Sequence, residues 1–314
     1  MPGGPESNTT AFSGAGEAAF VDWVRHRQAR QIRDMGLSYV QASAGDDLAV
    51  LEWPGGLVLM GVDPVLDGVH MDLAVHGPGA AGRKAMNRNL SDVAAMGGVP
   101  VAATLSIVAP KTLYMQELQQ AYEGAEAAGA AAGCPIVGGD FASWTGPLVL
   151  TVGILARSSG RVVRRQGAVA GDTIFVSGPL GGSILGRHLN FLPRLALGKH
   201  IADVFRASAM IDVSDGLSRD LPRLLEGGLG AQIAAGQIPI HEDARRLAMQ
   251  TGRDPLWHAL HDGEDYELLF TAATQDLPGC TAIGTVEAAR GIRLLRDAGV
   301  EALLPQGWEH RLER

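Results

Sequence analysis

The stretch Ala209-Met210-Ile211-Asp212-Val213-Ser214-Asp215-Gly216-Leu217 decides the reading of this chain. An apolar run of strand length meets two aspartates and a glycine, and Leu217–Leu225 then resumes with helical spacing. That is the signature of a strand–turn–helix unit. The same alternation recurs on both sides. Strands are predicted at 57–62, 101–108, 136–137, 148–156, 173–177, 268–272 and 282–286. Helices are predicted at 79–96 and 116–132, and 17–41 carries a leading helix signal. Such alternation implies an α/β (α+β) architecture. A linker rich in Ser, Gly and Arg over 157–171 places a boundary there. The expected division is a flexible tail with a possible leading helix over 1–41, one domain over 42–157 and a second over 158–314.

Composition agrees with two globular domains: 314 residues, 46% apolar and 19% charged. No window approaches the roughly 18 uncharged apolar residues of a membrane helix, so no membrane span is expected. The formal charge of −8 argues against a nucleic-acid partner, which needs a basic face. Cys134 and Cys280 form neither a disulfide framework nor a zinc set, and with no secretion signal at the N-terminus the expected location is cytoplasmic. Glycine is over-represented, with 42 residues, clustered where apolar runs end.

Acids also stand at those ends. Asp46 and Asp47 precede an apolar run, and Asp63 follows Leu57–Val62. Gly139-Asp140 follows Ile136-Val137, Asp212 and Asp215 flank the quoted turn, and Asp262, Glu264 and Asp265 precede 266–270. Asp92 sits on a helix with Asn89 one turn earlier on the same face. One such acid is ordinarily a turn former or a helix cap. A convergent set would repel unless cations lay among its members, and hard oxygen ligands favour Mg²⁺ with positions left for phosphate oxygens. Familiar phosphate loops are absent. Gly77–Gly82 followed by Arg83-Lys84 lacks the Walker hydroxyl and reads as a helix start, while Gly178–Ser183 is either a tight turn or a phosphate contact.

Taken in order, GDD at 45–47, Gly68-Val69-His70, KAMNRNLSDVAAMG at 84–97, GGD at 138–140, IDVSDGL at 211–217 and GEDYELLF at 263–270 resemble the thiamine-monophosphate kinase family. That family belongs to the PurM-like superfamily, which includes aminoimidazole ribonucleotide synthetase. The resemblance implies a two-domain PurM-like fold whose N-terminal sheet pairs across a homodimer. It implies an ATP-dependent transfer of the γ-phosphoryl to thiamine monophosphate with several Mg²⁺ ions. Metal roles fall on Asp47, Asp63, Asp92, Asp140, Asp212 and Asp215, with Asp46 a neighbour. Nucleotide contacts fall on Gly139, Asp140, Arg165 and Ser214, and acceptor contacts on His70, Glu264 and Trp308. No catalytic nucleophile or base is implied, because a phosphate acceptor is itself anionic at neutral pH. The chain departs from the family pattern at Val62, Phe141, Gly182 and Asn190. These departures motivate two alternatives: a paralogue with another phosphorylated or carboxylated acceptor, and a non-catalytic MgATP-binding protein.

Overall fold

The computed structural model describes residues 17–43, 45–158 and 160–307. The tail over 1–16 and Trp308 lie outside the described residues. After helix α1 (Glu17–Asp34) come β1 (Val40–Ala42), β2 (Ala49–Trp53), β3 (Gly56–Leu66), β4 (Gly98–Pro110), β5 (Ile136–Trp144) and β6 (Val149–Ser158). They form a sheet of order β1-β2-β3-β6-β4-β5, antiparallel except for β4 with β5. The short helix α2 (Leu73–His76), then α3 (Pro78–Ala95) and α4 (Met115–Ala131) follow their strands. Leu59, Val65, Leu105, Leu150 and Val152 of the sheet and Met86 and Leu90 of α3 share one core.

Alanine and glycine on α3 and α4 have a steric purpose. A Cβ at Gly82 would collide with the Ala121 carbonyl, and one at Gly124 with the Gly79 carbonyl. The helices therefore cross backbone to backbone, and α3 is held deep enough for its polar residues to reach the middle of the molecule. Pro78 starts α3 at its first turn, where the missing N–H costs nothing.

The second half opens with β7 (Thr173–Val176) and the short helices α5 (Arg187–Asn190) and α6 (Leu195–His200). There follow β8 (Ala209–Asp212), α7 (Leu217–Leu224), β9 (Gly230–Ala234), α8 (Glu242–Thr251), α9 (Pro255–His261), β10 (Leu268–Ala272), β11 (Thr281–Glu287), β12 (Gly291–Arg296) and β13 (Gly299–Ala302). Their sheet has the order β13-β12-β9-β11-β7-β10-β8. Leu217, Leu221, Leu256 and Leu260 cover one face. The other face, with Phe175 and Phe270, packs against Ile201, Ala202 and the last turn of α3 at Ala94 and Ala95. Helix α3 is thus common to both halves, and the cleft between them opens along its polar edge.

Several local expectations change. Strand β3 does not stop at Asp63 but continues to Leu66, with Asp63 paired to Val152. Pro64 is tolerated inside the strand because β2 pairs only as far as Met60, so the other edge of β3 needs no further N–H there. Asp140 likewise lies inside a strand, since β5 runs on to Trp144 beside β4. The leading helix ends at Asp34, and the 263–266 segment is a turn preceding β10. Strands β9, β12 and β13 and helices α8 and α9 lie outside the elements expected from the sequence. Among the described residues no helix is long and apolar enough to cross a membrane.

Candidate active site

A cavity of about 970 Å³ opens between the halves. One end is acidic. Asp47 follows the Gly45 turn, Asp92 projects from α3 and Asp212 ends β8; one carboxylate oxygen from each lies within 4.8 Å of the others. Asp63 on β3 and Asp215 in the turn after β8 line the same space. At such spacing each pair of ionised carboxylates repels by about 3–4 kcal/mol at an effective dielectric of ~20. Protonation states respond accordingly. Burial, reinforced by Asp47, pushes Asp212 up to about 7, although Ser91 donates to it at 2.5 Å. Asp92 rises well above the ordinary carboxylate range through burial and then through Asp63 and Asp212. Asp63 also rises, through burial opposed chiefly by Arg88.

Two arginines offset part of this charge. Arg165 Nη2 lies 2.6 Å from Asp47 Oδ1, and its backbone N–H donates to Asp46 at 2.8 Å. Arg88 Nη2 lies 3.0 Å from Asp63 Oδ2 while its Nη1 donates to the Pro64 carbonyl. Asp47 Oδ2 is buried with no hydrogen-bond partner among the described residues. A buried acceptor without a donor, beside carboxylates raised by mutual repulsion, fits a hard divalent cation: all-oxygen donors, three side chains and room for further oxygen ligands.

The other end is lined by Val69, His70, Ile184, His188, Glu264 and Tyr266. Glu264 belongs to a turn whose Gly263, Glu264 and Tyr266 all have positive φ, at 75°, 52° and 52°. Non-glycine residues adopt that conformation at a cost of roughly 1–3 kcal/mol each. Hydrogen bonds from Glu264 N to the Ser214 carbonyl and from Asp265 N and Tyr266 N to the Val213 carbonyl hold it in place. Phe191 stacks on Tyr266 with ring centroids 3.9 Å apart. The strained turn is thereby clamped to the loop that carries Asp212 and Asp215.

Of the residues singled out from sequence, Asp46, Asp47, Asp63, Asp92, Asp212, Asp215, Arg165, Ser214, His70 and Glu264 all line the cavity. Gly139 and Asp140 do not. They lie exposed on the edge strand β5. The register runs from Asp63 through Val152 and Leu105 to Gly139, so Asp140 points to the opposite face of the sheet from Asp63. The Gly178–Ser183 question is also answered. Gly181 N donates to Asp265 and Gly182 N to Asp262, so these amides are filled by carboxylates and the segment is a tight turn. Gly307, the last described residue before Trp308, lies so close to the Asp215 carbonyl that a Cβ would collide with it. The residues missed from sequence are Lys84, Arg88, His188 and Tyr266. Lys84, Arg88 and Asp92 recur every four residues on a largely buried helix, and that charged stripe was the available signal.

Comparison with known proteins agrees with this geometry. Residues 45–157 match the family model described as AIR synthase related protein, N-terminal domain. A thiamine-monophosphate kinase of Rhodopirellula baltica is 36% identical, covering 94% of this chain and 97% of its own. One from Aquifex aeolicus is 33% identical, over 85% and 92% respectively. Among solved structures, AaThiL complexed with AMPPCP and TMP superposes with a TM-score of 0.83 at 30% identity, covering 97% of this chain and all (100%) of that one. Two sheets sharing one central helix, with acids gathered in the cleft, therefore make this a PurM-like phosphotransferase of the AIR-synthase-related class. Within that class the chain belongs to the thiamine-monophosphate kinase family.

Proposed function

We propose that this protein uses ATP and Mg²⁺ to phosphorylate thiamine monophosphate, giving thiamine diphosphate. The observation that carries the reading is the meeting of Asp47, Asp92 and Asp212 oxygens within 4.8 Å, in a cleft whose far end is built from His70 and Glu264. The family membership and the ATP-analogue complex of the similar structure support it.

Asp47, Asp63, Asp92, Asp212 and Asp215 would hold the metal ions, which when bound neutralise the phosphates and polarise the transferred group. Arg165 and Ser214 flank that end and suit the nucleotide phosphates. His70 and Glu264 orient the acceptor. Glu264 is well placed for this: burial raises its pKa, but His188 and Lys84 outweigh that and hold it down at about 2, so it presents an ionised carboxylate. The acceptor's own phosphate is largely dianionic at neutral pH and attacks in line, so no side chain has to remove a proton.

The departures from the family pattern stay clear of the acceptor end. Val62 is exposed on the outer face of the sheet, Phe141 on the edge strand, Asn190 is bonded to Arg83, and Gly182 binds Asp262; none lines the cavity. This favours the family's acceptor over a changed one. Coupled ATP turnover with thiamine monophosphate tests it: Mg²⁺-dependent formation of the diphosphate is expected, and ATP binding without product would defeat it.

We also propose a homodimer through the outer face of the first sheet. Met60, Val62 and Leu155 are 47%, 62% and 40% exposed there, on the same face as Asp140. Metal and nucleotide roles for Gly139 and Asp140 then require the second copy to bring the edge strand β5 to a cleft.

A further inference from the structure

Lys84 is the largest fully buried side chain of α3, and it is charged. Its Nζ donates to the His70 carbonyl at 2.6 Å and to Glu264, with Oε1 at 2.7 Å and Oε2 at 2.9 Å, and it lies 2.7 Å from His188 Nδ1. Three oxygens are thus available to the three hydrogens of the ammonium. The partners come from separate elements: the loop between β3 and α2, helix α5, and the strained turn before β10. Two of those groups belong to residues read above as acceptor contacts, one on each side of the cleft.

His188 packs against both Lys84 and Glu264, with Nδ1 2.7 Å from Lys84 Nζ and 3.1 Å from Glu264 Oε2, and its Nε2 is buried with no hydrogen-bond partner among the described residues. Burial lowers the Lys84 pKa to about 8, partly offset by Glu264, which leaves the ammonium dominant at neutral pH.

We propose that Lys84 is a positioning residue for a cationic acceptor: its ammonium pins the His70 loop to Glu264 across the cleft. This rests on the acceptor reading of Glu264 given above. The thiazolium of thiamine monophosphate is such a cation, and an ionised, immobilised carboxylate recognises it without reorganisation. Lys84 thus has a use distinct from that of Asp92, two turns further along α3.

Steady-state kinetics of K84M, E264Q and the K84M/E264Q double variant test this, with MgATP affinity measured by calorimetry. K84M is expected to raise the KM for thiamine monophosphate at least tenfold while MgATP affinity stays within twofold. In the E264Q background, where no carboxylate needs holding, the same change should add less than twofold. Equal effects in both backgrounds, or a K84M acceptor KM within twofold of wild type, would overturn the proposal. A wild-type protein that turns over no thiamine monophosphate would instead defeat the acceptor reading. If K84M does not fold, K84Q, which keeps a hydrogen-bond donor but no charge, is read instead: an acceptor KM raised at least fivefold is expected, and one within twofold of wild type overturns the proposal.

Discussion

Asp212 shows how a single carboxylate connects chemistry with stability. Burial and Asp47 raise its pKa to about 7, so in the cation-free protein it keeps its proton well above the ordinary range. The unfolded chain releases that proton near pH ~4. Between those values the folded state binds more protons than the unfolded one, so stability falls as pH rises from about 4 to about 7. Asp92, shifted in the same direction, adds to the fall. Mg²⁺ prefers the deprotonated oxygens and stabilises the folded state that holds them. The rise in melting temperature on adding Mg²⁺ should therefore be larger at pH 8 than at pH 5.5; scanning calorimetry giving equal shifts would contradict this. Asp212→Asn removes one repelling charge and, on the proposed function, one metal ligand. Turnover should fall by about 100-fold or more, while the metal-free protein melts no lower than wild type. A melting point well below wild type would show that Asp212 is held for packing rather than for a cation.

At the scale of elements, α3 does the most. One face packs into the first sheet, its last turn enters the second, and its polar stripe supplies Arg88 and Asp92 to the cleft and Lys84 to the groups behind it. This is possible only because Gly82 and Gly124 let α3 and α4 touch backbone to backbone. Gly82→Ala should force the helices apart at a cost of about 1–3 kcal/mol. It should also reduce activity, since displacing α3 moves Lys84, Arg88 and Asp92 together. Thermal melting and turnover of the variant check this, and unchanged values in both would remove the close crossing from the account. The turn at 263–266 works in the opposite manner. It stores strain in Glu264 and Tyr266, and two carbonyls of the neighbouring loop with one stacked ring keep it in place. Phe191→Ala removes that stack, and a higher acceptor KM with little change in MgATP affinity is expected from kinetics and calorimetry.

For the whole molecule, the exposed outer face of the first sheet is the feature that one chain leaves without a partner among the described residues. Val62→Glu with Leu155→Glu should convert a dimer to a monomer by analytical ultracentrifugation; a wild-type protein that sediments as a monomer would remove the proposed interface. Much was apparent before any coordinates. The alternation of strands and helices, the acids beside glycine at their junctions and the ordered motifs from Gly45 to Phe270 already implied the architecture and a cluster of carboxylates. Strong periodicity and turn chemistry are local properties, and local properties survive in a sequence. Which acids meet is a different matter. It depends on sheet order, register and strand parity, and these put Asp63 in the cleft but turn Asp140 to the far side of the same sheet. Lys84 is the clearest case: its three partners lie 14, 104 and 180 residues away along the chain. An arrangement built from such distant pairs comes into being only when both halves close around α3, because packing alone brings those groups within hydrogen-bonding reach.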